Sequence, residues 1–352
     1  MTVRQDDAAA GTGPAPWLEA VETLRSVPKS YFAPTLDVAE AARQLGCAAD
    51  VVEALMRAGL QSADSPDGPL LDYHDVMNVG MAARTGRSLP EQAERRCLRM
   101  AAGDPRNWIE PRTWRVRLGA PCTEPGCAGA VPAPPAPELL GGELLEYQPS
   151  DTATHEADAA VTTRGLRDAP RTRAVREVYD EVLSGLTADT YRYSWLPHAL
   201  RADPAKAAEL GMVDCVIAAW IMQQHAESAG LEARTRKGYL IGLVGVEHAW
   251  TEVLEEGRWL PLDPILAFLA LRQPGSDPGF TDFCRGSAHQ RLLAWDRRAD
   301  EPITDHACEH GGRIAYRCSQ LPGAAPVPGA APPRAAVPRD TAARAAAPGP
   351  SK

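Results

Sequence analysis

Gly211-Met-Val-Asp-Cys215, Glu247-His-Ala-Trp-Thr-Glu-Val253 and Gly257-Arg-Trp-Leu-Pro-Leu-Asp-Pro264 bring a thiol, an imidazole and a carboxylate into one short stretch of chain. Gly211 breaks the chain and Asp214 can cap a helix. Val216 to Ala229 then carries Ile217, Trp220, Ile221 and Gln224 at helical spacing, and Gly230 ends the run. Cys215 is therefore predicted at a helix N-terminus, where free N–H groups and the helix dipole stabilise a thiolate. Tyr239 to Val246, Ala249 to Leu254 and Arg258 to Leu262 read as strands, with a turn at Glu255-Glu256-Gly257. A hairpin about that turn sets His248 opposite Asp263 or Pro264. A base and its orienting carboxylate on neighbouring strands, beside a helix-borne thiol, meet the needs of Cys–His–Asp nucleophilic catalysis.

Further segments extend the pattern: Thr172-Arg-Ala-Val-Arg-Glu-Val-Tyr179 and Tyr191-Arg-Tyr193 before the cysteine, and Leu231-Glu-Ala-Arg234 and Gly238-Tyr239 after it. With the three motifs, they give a run from Arg164 to Leu271 that resembles the transglutaminase-like superfamily, a circularly rearranged relative of papain-type cysteine proteases. The resemblance implies an α+β fold, with a papain-like core in which a helix bears the cysteine and an antiparallel sheet carries His and Asp. It implies catalytic roles for Cys215, His248 and Asp263. It also implies an aromatic or amide oxyanion donor ahead of the nucleophile. Tyr193 and Trp195 are the candidates, and Trp195 is equally suited to the core. One departure stands out: the family often has Gly two residues before the Cys, and Val213 holds that place here.

The chemistry expected is acyl transfer. His248 takes the Cys215 proton, and the thiolate attacks an amide, ester or thioester carbonyl. The Cys215 N–H and one upstream side chain hold the oxyanion. Hydrolysis of the acyl-enzyme would make a peptidase or amidase. Aminolysis would make an amide-forming acyltransferase, as in natural-product biosynthesis. The substrate expected is a peptide or a carrier-bound acyl group, with an amine as the second acceptor. The competing class is a non-enzymatic DNA-binding or ligand-sensing regulator built on a degenerate triad domain.

The chain has 352 residues, 44% hydrophobic and 24% charged, with a net charge of −9. Bulk charge therefore offers nucleic acid and anionic membrane no attraction. No apolar run approaches the roughly 20 residues that span a bilayer, and the N-terminus lacks an apolar signal region. A cytoplasmic protein without cofactor is the expectation, its eight cysteines reduced.

Residues 1–16 read as a disordered tail, 17–118 as a mainly helical domain, and 119–142 as a Pro/Ala/Gly linker. Residues 143–321 read as the catalytic domain, with its core at 164–271, and 322–352 as a disordered Pro/Ala tail. Within the helical domain, Thr35 to Gly46 and Ala49 to Ala58 form a helix pair. Asp67 to Tyr73 is a short hairpin, and Asp75 starts another helix. This unit resembles a winged helix-turn-helix of the MerR or excisionase type. Its second helix offers Arg57 but also Asp50 and Glu53, a poor reader of bases, so DNA is not the favoured partner. Gly242 and Gly245 lie in a strand pattern and make no phosphate loop. Cys122 and Cys127 could supply half of a zinc site. Cys284, His306, Cys308 and His310 form a second ligand-rich group, with His289 and Cys318 near it in sequence. Neither set has paired C-x-x-C spacing, so no metal is assigned.

Overall fold

The computed structural model describes residues 14–119, 134–149, 156–241, 247–303, 317–320 and 325–326. The chain opens with α1 (Ala15–Glu22), which buries Trp17, Ala20 and Val21. Strand β1 (Pro34–Leu36) precedes α2 (Val38–Leu45), which Asp37 and Glu40 start as a capping box and Gly46 ends in the left-handed region. Helix α3 (Ala49–Arg57) follows, then β2 (Ser62–Ala63), β3 (Leu70–Asp72) and α4 (Tyr73–Ala82). The three strands pair in the order β1-β3-β2. Leu45, Val52, Leu55, Leu71 and Val76 close the core between helices and sheet. Helix α4 begins two residues before the expected Asp75, because Asp72 accepts the N–H groups of His74 and Asp75 and so caps it. Helices α5 (Leu89–Cys97) and α6 (Arg106–Ile109) complete this part.

The helical reading of residues 17–118 ends early, because Arg112–Gly119 is a strand, β4. Trp114, Val116 and Leu118 are buried while Arg115 and Arg117 are exposed, a period-two pattern that belongs to a sheet. Strand β5 (Gly142–Pro149) and β6 (Ala157–Thr163) extend the sheet. Its order is β13-β4-β6-β5, where β13 is Arg317–Gln320; β14 (Ala325–Pro326), inside the expected tail, also pairs with β4. Residues 120–133, with Cys122 and Cys127, lie outside the described residues.

Helix α7 (Arg173–Thr187) buries Val175, Val178, Tyr179, Val182 and Leu186. Four short elements follow: β7 (Arg192–Tyr193), α8 (His198–Arg201), α9 (Pro204–Glu209) and β8 (Met212–Val213). Helix α10 (Cys215–Ser228) packs on β9 (Ala233–Leu240) and β10 (His248–Glu255). Strand β11 (Arg258–Leu262), α11 (Pro264–Arg272), α12 (Phe280–Cys284) and β12 (Leu292–Trp295) complete an antiparallel sheet of order β11-β10-β9-β12.

Strand β9 runs from Ala233, not over the expected 239–246; residues 242–246, with Gly242 and Gly245, are outside the described set. Arg234 and Arg236 obscure its apolar alternation. Arg236 is buried and donates to Glu138, while Arg234 pairs with Glu252 and lies 4.0 Å over the Trp259 ring. Gly238 is required in this strand, since a Cβ there would meet the Leu293 carbonyl oxygen of β12 at 1.9 Å.

The N-terminal helices dock on this second unit through backbone groups. Arg25 donates to the carbonyls of Thr190 at 3.0 Å, Gly211 at 2.6 Å and Asp189 at 2.5 Å. The Asn78 amide brackets Trp195, donating to its carbonyl at 3.1 Å and accepting from its N–H at 2.6 Å.

Candidate active site

Asp214 is the N-cap of α10, and its Oδ1 accepts the N–H groups of Val216 at 2.9 Å and Ile217 at 3.0 Å. Cys215 is thus the first residue of the helix, as its sequence context predicts, and is half-buried. Its own N–H makes no hydrogen bond among the described residues, so it remains a donor at the helix N-terminus. The other Asp214 oxygen meets Arg201 Nε at 2.5 Å. Burial disfavours the charge on Arg201, but Asp214 and Cys215 outweigh that and raise its pKa. The sequence did not single out Arg201: its partner is thirteen positions away, beyond a short helix and a short strand.

The chain enters the helix along β8, which pairs in parallel with β7 and sets Tyr193 beside Val213. Val213, at the position where glycine is frequent in the resembled family, is strand. The left-handed residue is Gly211, with φ +65°. A Cβ there would meet Arg25 Nη1 at 2.2 Å and the Thr190 carbonyl oxygen at 2.7 Å, so the turn and the docking of Arg25 both require glycine.

His248 begins β10, a strand buried on both faces. Asp263 leaves β11 and caps α11. Its Oδ1 accepts the Leu266 N–H at 3.0 Å, and its Oδ2 lies 2.5 Å from His248 Nε2. Nε2 is thereby occupied, leaving Nδ1 free to face the Cys215 thiol, which is near enough to act on the ring. Burial pushes the imidazole pKa down, but the Asp263 carboxylate and Cys215 reverse this and raise it from 6.5 to about 10. Behind the pair, the Asp263 N–H donates to the Cys284 carbonyl at 3.0 Å, and the Tyr179 hydroxyl lies 3.5 Å from the Asp263 carbonyl. Neither support was evident in the sequence. The Trp250 ring stacks along the imidazole with centroids 6.2 Å apart, and its Nε1 donates to Glu252 at 3.1 Å.

The two oxyanion candidates have different neighbours. Tyr193 is close enough to Cys215 and Asp214 for both to act on its phenol; burial, then those charges, raises its pKa well above the ordinary value. Trp195 has its backbone held by Asn78, and its ring meets Tyr73 edge-on at 6.3 Å. Of the candidate metal ligands, His306, Cys308 and His310 lie outside the described residues. Cys284 is buried in the apolar core. His289 Nδ1 donates to the Gly286 carbonyl at 2.6 Å. Among the described residues, no three His, Cys, Asp or Glu side chains are placed to hold a metal ion. No helix among them is long and apolar enough to cross a membrane.

No curated protein matches the chain. Among solved structures, a candidate cysteine protease from Cytophaga hutchinsonii aligns at 10% identity and a TM-score of 0.24, over 60% of this chain and 89% of that one. The family comparison is more specific and falls on the segment just described: residues 159–264, from β6 through Cys215, His248 and Asp263 to the first residue of α11, match the transglutaminase-like superfamily, and the chain carries a domain of that kind.

Proposed function

We propose that the protein is a cysteine enzyme that works by acyl transfer through a thioester on Cys215. The observation that carries this reading is the Asp263–His248–Cys215 relay. One carboxylate oxygen occupies Nε2 of a buried imidazole, and a thiol at a helix N-terminus lies near enough to act on that ring. An imidazolium held by Asp263 beside the sulfur favours the thiolate. Sulfur attacks the carbonyl carbon of an amide, ester or thioester, and the C–S bond forms as the carbonyl oxygen takes up charge. The unpaired Cys215 N–H is one donor to that oxyanion, and Tyr193 is the side-chain donor best placed. Collapse expels the leaving group, which His248 protonates. Water or an amine then attacks the thioester, with the neutral imidazole as base, and regenerates the thiol.

The N-terminal helix pair and small sheet support the reading of a winged helix-turn-helix-like unit. Helix α3 exposes Asp50 and Glu53, and Arg57 is 3.9 Å from Glu53, a face that repels phosphates as much as it attracts them. The contacts of Arg25 and Asn78 favour service to the catalytic domain instead. A peptide or carrier-bound acyl group is the substrate class proposed.

Exposure to an activated acyl donor, such as a p-nitrophenyl ester or an acyl thioester, followed by intact-protein mass spectrometry at low pH, tests this reading. A single acyl adduct on wild type that is absent from Cys215→Ala supports it. Adducts elsewhere, or equal adducts on both proteins, refute it.

A further inference from the structure

Between α1, α4 and the second unit lies a cavity of about 490 Å³ that Cys215 and His248 do not line. Apolar side chains form much of its wall: Leu24 and Met81 from the N-terminal unit, and Leu186, Phe268 and Leu271 from α7 and α11. Leu271 is 54% exposed, a large apolar side chain left to water at this cavity. The charged lining is unbalanced. It comprises Arg25, Arg192 and Arg272 against a single carboxylate, Asp189. Arg192 and Arg25 both turn to Asp189, and both also spend donors on backbone carbonyls. Arg272 makes no ion pair among the described residues, and its guanidinium lies over the Phe268 ring at 5.0 Å. Arg84, behind it, already has Glu94 at 3.7 Å. The cavity therefore joins an apolar wall to a guanidinium that has no ion pair among the described residues, with Glu94 and Asp189 acting on it only from beyond ion-pair distance, in a protein that is acidic as a whole.

Tyr193 ties this cavity to the candidate active site. It lines the cavity, and its phenol is close enough to feel the charge of Cys215. Helix α11 gives a second link, since Asp263 caps its start while Phe268, Leu271 and Arg272 at its other end line the cavity.

We propose that this cavity is a subsite of the same active site for an amphipathic carboxylate, its apolar body against Leu24, Leu186, Phe268 and Leu271 and its anion on Arg272. This rests on the reading of Cys215 as nucleophile, and makes the substrate one that carries a carboxylate remote from the reacting carbonyl. Charge complementarity selects the anion, and the apolar wall selects what bears it. The N-terminal unit supplies one wall of the site, which gives its docking on the second unit a purpose.

Calorimetric titration of full-length Cys215→Ala tests the site without depending on turnover. Two probes share a body: N-acetyl-leucyl-phenylalanine, with a free carboxylate, and its C-terminal amide. Octanoate separates a simple fatty anion from a peptide end. The acid is expected to bind, the amide to bind about tenfold or more weaker, and Arg272→Met to erase that difference, as for loss of a charge-assisted pair. Arg272→Lys should restore part of it. Octanoate binding as well as the peptide acid would assign the site to simple fatty acids while sustaining it. Equal affinity for acid and amide, no binding, or an unaltered preference in Arg272→Met would overturn the proposal. Binding that persists while no acyl adduct forms on Cys215 would leave the subsite standing and remove the nucleophile.

Discussion

The two oxygens of Asp263 divide their work: Oδ2 lies 2.5 Å from His248 Nε2 while Oδ1 caps helix α11 through Leu266. The carboxylate that orients the imidazole is thus fixed by the start of a helix packed into the main core. Asp214 repeats the arrangement on the side of the proposed nucleophile, with Oδ1 on the helix carrying Cys215 and Oδ2 on Arg201. Cap geometry, more than loop conformation, positions both ends of the relay.

Asp263→Asn separates these two duties. Asparagine still caps α11, so the cap alone is expected to contribute a change of less than about 1 kcal/mol, and any larger loss reports the broken charge pair. The imidazole loses its charge partner, so its pKa should drop from about 10 toward or below 6.5. With the tautomer no longer held, kcat is expected to fall about 10³–10⁴-fold. Thermal melting, histidine NMR titration and steady-state rates check the three parts. A near wild-type rate would remove Asp263 from the mechanism.

Asp214→Ala and Asp214→Asn should diverge. Alanine removes the cap from two N–H groups and leaves Arg201 unpaired, at a cost of about 1–2 kcal/mol with slower Cys215 chemistry. Asparagine retains the cap and should recover most of the stability. Chemical denaturation of both variants provides the comparison, and equal loss in both would show that the cap is not what matters.

Gly211→Ala places a Cβ into Arg25 and the Thr190 carbonyl at a residue with φ +65°. A loss of more than about 1 kcal/mol is expected from the backbone conformation and the clash together. Because Arg25 bridges the two units, limited proteolysis should show the N-terminal unit released first. A variant as stable and as protected as wild type would contradict this description of the junction.

Asp75 gives a pH dependence apart from the active site. Burial raises its pKa from 3.8 to about 7, while the Val27 N–H favours the charged form and Asp72 opposes it. The folded state therefore holds this proton more tightly than the unfolded one. The stability it contributes is full below pH 3.8 and is lost as pH rises through about 7. At ~1.4 kcal/mol per pKa unit the loss is at most about 4 kcal/mol. Asp75→Asn cannot ionise and keeps an acceptor for Val27, so its melting temperature should fall less than that of wild type between about pH 5 and pH 8. Parallel melting curves would rule out Asp75 as the source.

The places of Cys215 at a helix start and of Asp263 at the end of a strand were legible in the sequence, because a capping Asp214 and the following Pro264 mark those boundaries. The pairing was less so. Thr251 opposes Leu262 and Glu255 opposes Arg258, a register that would align Trp250, not His248, with Asp263. His248 meets Asp263 because the chain leaves the strand after Leu262 and turns into α11. Strand β9 was displaced because Arg234 and Arg236 look solvent-exposed until Glu252, Glu138 and Trp259 are in place. The bridge from Arg25 to three backbone carbonyls could not be read at all, since a carbonyl acceptor has no residue identity.

The most direct measurement is the rate of Cys215 alkylation by iodoacetamide as a function of pH, read by mass spectrometry of the labelled peptide, on wild type and His248→Ala. The expected result is selective labelling well below about pH 8 in wild type, with a profile that moves to that of an ordinary thiol in the variant. An ordinary thiol profile in both proteins, or no labelling of folded wild type, would contradict an activated nucleophile at Cys215.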